Sequence, residues 1–185
     1  DCQNKLVQLV RLQQICVDPY GLVANYDLLS PKLKWIVDFA KSNNIQFIVS
    51  SKKTKPLLHL MQVLDDEGIK HSSLVGSYTF DERQEQIKKF KTNVAQVMLL
   101  QQDTGRESLT LPNAQCIIFL DRDFAVGFND QAEARMTPVD GSVCTKQVID
   151  LIMKDSKEVE IYNKLVIAKQ SIDMMNFVFK SKEES

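Results

Sequence analysis

Histidine is scarce in this 185-residue chain, which has only His59 and His71. The four cysteines, Cys2, Cys16, Cys116 and Cys144, include no C-x-x-C pair. A zinc centre is therefore not expected, because its tetrahedral ligand set needs such side chains at close spacing, and no metal ligand is assigned. Scattered thiols fit a reducing compartment, the cytosol, a nucleoid or a nucleus, better than a disulfide framework. No charge of one sign dominates: 23 Lys and Arg stand against 24 Asp and Glu, for a net charge of −1. Bulk charge thus gives no sign of nucleic acid, and any contact with a polyanion must come from a local patch. No apolar run approaches the ~20 residues that would span a bilayer, and no signal-peptide pattern opens the sequence, so no membrane partner is expected. Internal repeats and low-complexity segments are also missing.

What is present suits one soluble globular domain: 44% hydrophobic and 25% charged residues in a length that buries a real core. The sequence starts at Asp1, without an initiator Met and inside an apparently helical pattern, and so reads as a piece of something longer. Leu6, Leu9, Val10, Leu12 and Ile15 recur at helical spacing, predicting an amphipathic helix over Lys5 to Cys16 that Asp18-Pro19-Tyr20-Gly21 stops. Ser30-Pro31 is an N-cap followed by proline at the first helical position, and Leu33, Trp35, Ile36, Phe39 and Ala40 follow as the apolar positions. Ile45 to Val49 reads as the first strand, with Ser50-Ser51-Lys52-Lys53-Thr54 as a polar, basic exit loop. A helix from Pro56 to the C-cap Gly68 comes next, with His59 as a surface or packing residue. Then come a strand over Ile69 to Val75 and a helix opened by the capping box Thr79-x-x-Glu82. Val94 to Leu100 and Cys116 to Leu120 are the third and fourth strands. A fifth lies around Gln147 to Ile152, and Asp155-x-x-Glu158 opens a long helix to about Phe179. Strands alternating with helices imply an α/β fold, a parallel sheet with helices on both faces.

The stretch from Gln101 to Gly141 organises the chain. It runs through a loop with a glycine, the continuous apolar strand Cys116-Ile117-Ile118-Phe119-Leu120, a second loop begun by Asp121, and a short helix bearing one arginine. In an open parallel sheet the loops leaving the carboxyl ends of strands line the ligand crevice. QDTGRESLTLPNA, LDRDF and QAEAR resemble, in order and spacing, the last two motifs of the Swi/Snf-type branch of superfamily-two helicases, K-A-G-G-x-G-L-N-L, D-x-x-W-N-P and Q-A-x-x-R-x-x-R-x-G-Q. Gly105, Leu109, Leu111, Asp121, Gln131, Ala132 and Arg135 are the matches. Upstream, Ser30 and Lys32 match S-x-K, Leu74, Gly76 and Ser77 match L-x-G-S/T, and Arg83, Ile87 and Phe90 match R-x-x-x-I-x-x-F. Arg11 to Pro19 resembles the segment that joins the two motor lobes, although its spacing equally suits a helix packed on the core.

The resemblance implies a RecA-like sheet of about five or six strands forming the C-terminal helicase lobe over 30–180, after a helical linker segment at 1–29 and before a charged tail at 181–185. It implies a motor driven by ATP and Mg²⁺. The sequence has neither G-x-x-x-x-G-K-[ST] nor D-E-x-H, so the nucleotide would be held mainly by an N-terminal RecA-like lobe of the same protein, and these residues alone would not turn over ATP. What this lobe would supply is charge stabilisation by Arg135, with Gly105, Glu107 and Gln131 also in the ATP cleft. Gln131, four residues before Arg135, would share its helical face. DNA would be held through its phosphate backbone, without sequence specificity, by Ser50, Ser51, Lys52, Gly76, Ser77 and Thr104. The sequence departs from the motif where the second arginine falls on Pro138, so Arg135 acts alone, or Arg122 or Lys146 substitutes, or catalysis is weak. The alternatives are an inert RecA-like module that binds protein or nucleic acid, and an unrelated doubly wound enzyme, which lacks support because no acid, base or nucleophile set converges.

Overall fold

Five short, parallel strands form the centre of the molecule in the order β2-β3-β1-β4-β5. The computed structural model describes residues 4–24, 26, 28–76, 78–102, 109–123, 126–137 and 145–183. In chain order the elements are α1 (Lys5–Val17), α2 (Pro31–Ser42), β1 (Phe47–Ser51), α3 (Thr54–Asp66), β2 (His71–Leu74) and α4 (Phe80–Lys91). They continue with β3 (Val97–Gln101), β4 (Cys116–Phe119), α5 (Val126–Ala134), β5 (Gln147–Asp150) and α6 (Lys157–Glu183). Phe47 of β1 stands between Val97 of β3 and Cys116 of β4, and Cys116 stands opposite Gln147 of β5. All carboxyl ends therefore lie along one rim.

Alternation along the strands builds two apolar layers. Phe47, Val49, Leu99 and Ile118 face one way, onto Leu33 and Ile36 of α2 and Leu57 and Leu60 of α3. Ile48, Met98, Leu100 and Ile117 face the other way, with Phe90 of α4 and Ala132 of α5. Cys116 belongs to the first layer, where burial pushes its thiol up to about 11. These layers bear out the α/β fold with helices on both faces.

Several local signals are realised as read. Ser30 caps α2 by accepting from the Leu33 amide, and Thr79 and Glu82 form the reciprocal capping box of α4. Gly68 takes φ +67 just past α3, with the Ile69 amide returning to the Leu64 carbonyl. Others shift. Trp35 is 39% exposed and stacks on Phe39, while Val37 takes the inward position. Val94 is exposed because a left-handed turn at Asn93 (φ 61) precedes it, and β3 begins only at Val97. Helix α6 starts two residues after Asp155, whose φ is +55, and the Ser156 hydroxyl accepts from the Glu158 amide. His59 is a packing residue, as expected, stacked on Tyr20 at 4.0 Å and 2.6 Å from Asp18.

The amino-end rim is stapled by neutral amides and one lysine. Gln46, before β1, donates to the Phe90 and Ala95 carbonyls, and Gln96, before β3, donates to Ala40 and Asn43. Lys146, before β5, donates to Pro112 and Ala114. Among the described residues no helix is long and apolar enough to cross a membrane.

Candidate functional site

At the carboxyl-end rim, β1 runs two residues further than its apolar run, and this corrects the exposed exit loop expected at Ser50 and Ser51. Both serines are strand residues with no exposed surface. The reason lies seventy positions away: the Ser51 hydroxyl donates to Asp121 Oδ1 at 2.5 Å, and the Lys52 amide donates to the same oxygen at 3.1 Å. Lys52 itself is half-exposed and ion-paired with Asp123. Gly76 is exposed, with φ +77, and its amide donates to Gln101 Oε1 at 3.0 Å. A Cβ there would meet nothing within 4 Å, so its backbone angle, not space, favours glycine. Ser77, Thr104, Gly105 and Glu107 lie outside the described residues.

Asp121 is the most constrained charge on this rim. Burial pushes its carboxyl above the ordinary value, against the opposing pull of the Ser51 hydroxyl, Lys53, the Lys52 amide and Lys32. Gln102 donates its amide to the Asp121 carbonyl at 3.2 Å. Ser50 Oγ, Gln102 Oε1 and Asp121 Oδ2 are buried with no hydrogen-bond partner among the described residues. Beneath them Lys32, 4% exposed, donates to the Leu120 carbonyl at 2.7 Å and to Glu158 at 2.8 Å. Glu158 in turn accepts from the Met153 amide at 2.9 Å. No local pattern in the sequence signals this pair, which joins α2 to the start of α6; Lys32 was read only as a motif match and Glu158 only as part of a helix start.

Arg135 and Gln131 do not present one face. Helix α5 closes at Ala134, so Arg135 falls in the turn beyond it, buried at 7% exposure, whereas Gln131 is exposed. The Arg135 carbonyl accepts from the Leu111 amide at 2.7 Å, tying the end of α5 to the segment before β4. Burial, then the charge of Arg83, holds the Arg135 guanidinium below its usual pKa. Arg83 belongs to the first turns of α4, the helix that follows β2. The sequence offered Arg83 only as a motif position; its closeness to Arg135 was not legible.

The two candidate replacements for a second arginine are committed elsewhere. Lys146 serves the opposite rim of the sheet. Arg122 forks onto Asp150 and reaches Glu133, with its guanidinium 3.8 Å over the Phe119 ring. Pro138 lies outside the described residues. Among the described residues no three His, Cys, Asp or Glu side chains gather as a metal site. The sequence has no phosphate loop.

Residues 31–137 match the helicase conserved C-terminal domain, a span that includes the carboxyl ends of β1 to β4 and ends two residues past Arg135. The chain is 32% identical over 119 residues to the Danio rerio "Chromodomain-helicase-DNA-binding protein 1-like", covering 64% of this chain and 12% of that protein. It is 29% identical over 193 residues to the Mus musculus protein of the same description, covering 94% of this chain and 21% of that one. The chain thus spans about an eighth to a fifth of the length of these curated relatives. The crystal structure of the C-terminal part of the Fun30 ATPase domain superposes with a TM-score of 0.64 at 24% identity, covering 83% of this chain and 53% of that one, a likeness of fold. The Swi/Snf-type resemblance of the motifs is borne out by these matches, and the chain, with its RecA-like fold, belongs to the helicase conserved C-terminal domain family.

Proposed function

We propose that this lobe is the second half of an ATP-dependent DNA translocase, and that it lends Arg135 to a nucleotide held mainly by an N-terminal RecA-like lobe of the same protein. The relatives are described as helicase and DNA-binding proteins, and the similar fold comes from an ATPase domain. The N-terminal lobe would supply the phosphate cradle, the magnesium site and the acid that orients water. The observation that carries the reading is the position of Arg135, buried in the turn that closes α5 at the arginine place of Q-A-x-x-R, with the charge of Arg83 lowering its pKa after burial does. An arginine held there suits the phosphates of a nucleotide. Burial strengthens any charge Arg135 meets in the closed cleft, because the local dielectric is low.

Lys52 and Gly76, with Ser77 and Thr104, form the proposed contact to DNA phosphates, positioning the strand without reading its sequence. Ser51 supports that surface from within through Asp121, and Ser50 lies beside it in β1, both hydroxyls being covered. Closure of the two lobes around ATP, and their release, would shift these contacts along the backbone.

The test is Arg135→Ala in the full-length protein. DNA-stimulated ATP turnover should fall by ~10³ or more, the usual worth of an arginine that stabilises a transferring phosphoryl group. Unchanged turnover overturns the assignment. One observation favours a second reading, an inert RecA-like interaction module: Pro138 stands where the motif has its second arginine. Wild-type full-length protein that binds DNA but shows no turnover supports that alternative.

A further inference from the structure

We propose that Arg122 is a positioning residue that clamps α5, and with it Arg135, against β5 and α6; the inference rests on the role given to Arg135 above. Arg122 follows β4 by three residues, and every edge of its guanidinium is engaged. Nε and Nη2 donate to the two oxygens of Asp150 at 2.5 and 2.9 Å, and Nη1 donates to Glu133 Oε1 at 2.5 Å. The flat face rests 3.8 Å from the Phe119 ring centre, and the side chain is only 15% exposed. Planar, bidentate recognition of this kind fixes orientation as well as charge, and a lysine at the same place cannot reproduce it.

The two carboxylates belong to different elements. Asp150 is the last residue of β5, and Glu133 lies on α5 two residues before Arg135. On its other side Glu133 faces Lys169 of α6 at 3.8 Å, and Lys169 pairs with Asp130 of α5 at 2.7 Å. Helix α5 has nine residues, too few to be stable without tertiary support. Its first turns are held by the reciprocal bonds between Asn129 and the Asp123 backbone, and its end by the Leu111 amide. Arg122 joins its last turn to the edge strand. Removing that charge leaves Glu133 and Asp150 confronting each other, with Lys169 as the remaining nearby cation, and the repulsion pushes α5 from its seat. The group set free to move is then Arg135.

The experiment measures kcat and KM for ATP, at saturating DNA, in the full-length protein carrying Arg122→Gln, Arg122→Lys, Glu133→Ala, the double variant Arg122→Gln/Glu133→Gln, and Arg135→Ala. Displacing a group that acts in the transition state should lower kcat by about tenfold to a hundredfold, with KM for ATP held within about twofold because the nucleotide is bound by the other lobe. Arg122→Lys should not restore kcat. The double variant should be no worse than Arg122→Gln alone, because neutralising Glu133 removes the repulsion. Unchanged kcat in Arg122→Gln, while Arg135→Ala is inactive, overturns the positioning role and leaves Arg135 standing. An active Arg135→Ala overturns the underlying assignment instead. If Arg122→Gln does not fold, Glu133→Ala decides: it keeps the fork to Asp150 but removes the acceptor on α5, and wild-type kcat there overturns the inference.

Discussion

The two rims of the sheet carry opposite kinds of polar group. At the amino-end rim Gln46 and Gln96 each satisfy two backbone carbonyls, and Lys146 does the same with its ammonium group. Buried side-chain atoms without a partner, among the described residues, are absent from that rim. At the carboxyl-end rim a buried lysine, a buried aspartate and the ion-paired Lys52 crowd together, and three buried polar atoms have no hydrogen-bond partner among the described residues. Satisfied neutral groups rigidify at little cost, whereas charges taken out of water without full compensation are expensive. The strain-bearing rim is the one where open α/β sheets place their ligands. The difference therefore separates a foundation from a working edge, and each claim about it can be broken by substitution.

The largest effect should come from Lys32. Removing one partner of a buried ion pair leaves the other charge uncompensated, at a cost of roughly 3–5 kcal/mol. Lys32→Ala should therefore lower the unfolding free energy of this chain by about that much, read from urea denaturation. Glu158→Gln added to Lys32→Met should recover much of it, because the amide oxygen can still accept from the Met153 amide. A small loss in Lys32→Ala would mean that the working rim is less strained than its burial implies.

Gln96→Leu probes the opposite rim. It strips the donor from the Ala40 and Asn43 carbonyls, which unfolding measurements should register as roughly 1–2 kcal/mol, the lower part of the range for unsatisfied acceptors because water reaches this half-buried site. ATP turnover of the full-length protein should not change. Lost turnover at unaltered stability would erase the division of labour between the two rims.

How much of this was legible follows the sequence separation of the causes. Caps and turns act within four residues, so Ser30, the Thr79–Glu82 box and Gly68 could be read directly. The parallel sheet with helices on both faces followed from the alternation of elements and from the motif series. Ser50 and Ser51 read as a loop because hydroxyls are seldom strand-end core residues; the carboxylate that buries Ser51 lies seventy residues downstream. The Lys32–Glu158 pair spans 126 positions and leaves no periodic trace. Helical spacing put Gln131 and Arg135 on one face, a rule that fails once the helix ends at Ala134 and the backbone turns. The clamp at Arg122 was invisible for the same reason as the ion pair: its partners come from three different elements.

The smallest expected effect sharpens the comparison most, because it isolates one charge on the working rim. Burial raises the folded-state pKa of Asp121 above the ordinary value, against the opposing pull of the Ser51 hydroxyl, Lys53, the Lys52 amide and Lys32. A carboxyl whose pKa is higher folded than unfolded contributes its stability in full below the unfolded value and loses it as pH rises through the folded value. Asp121→Asn removes that titration while its Oδ1 can still accept from the Ser51 hydroxyl and the Lys52 amide. Unfolding free energies of the two chains, compared from about pH 3 to 8, should therefore be closest at the acid end. They should separate in favour of the asparagine chain as pH climbs. All other acids titrate alike in both chains, so the difference reports Asp121 alone. Parallel curves would mean that the surrounding lysines fully compensate its burial, and the working rim would then be as well satisfied as the foundation.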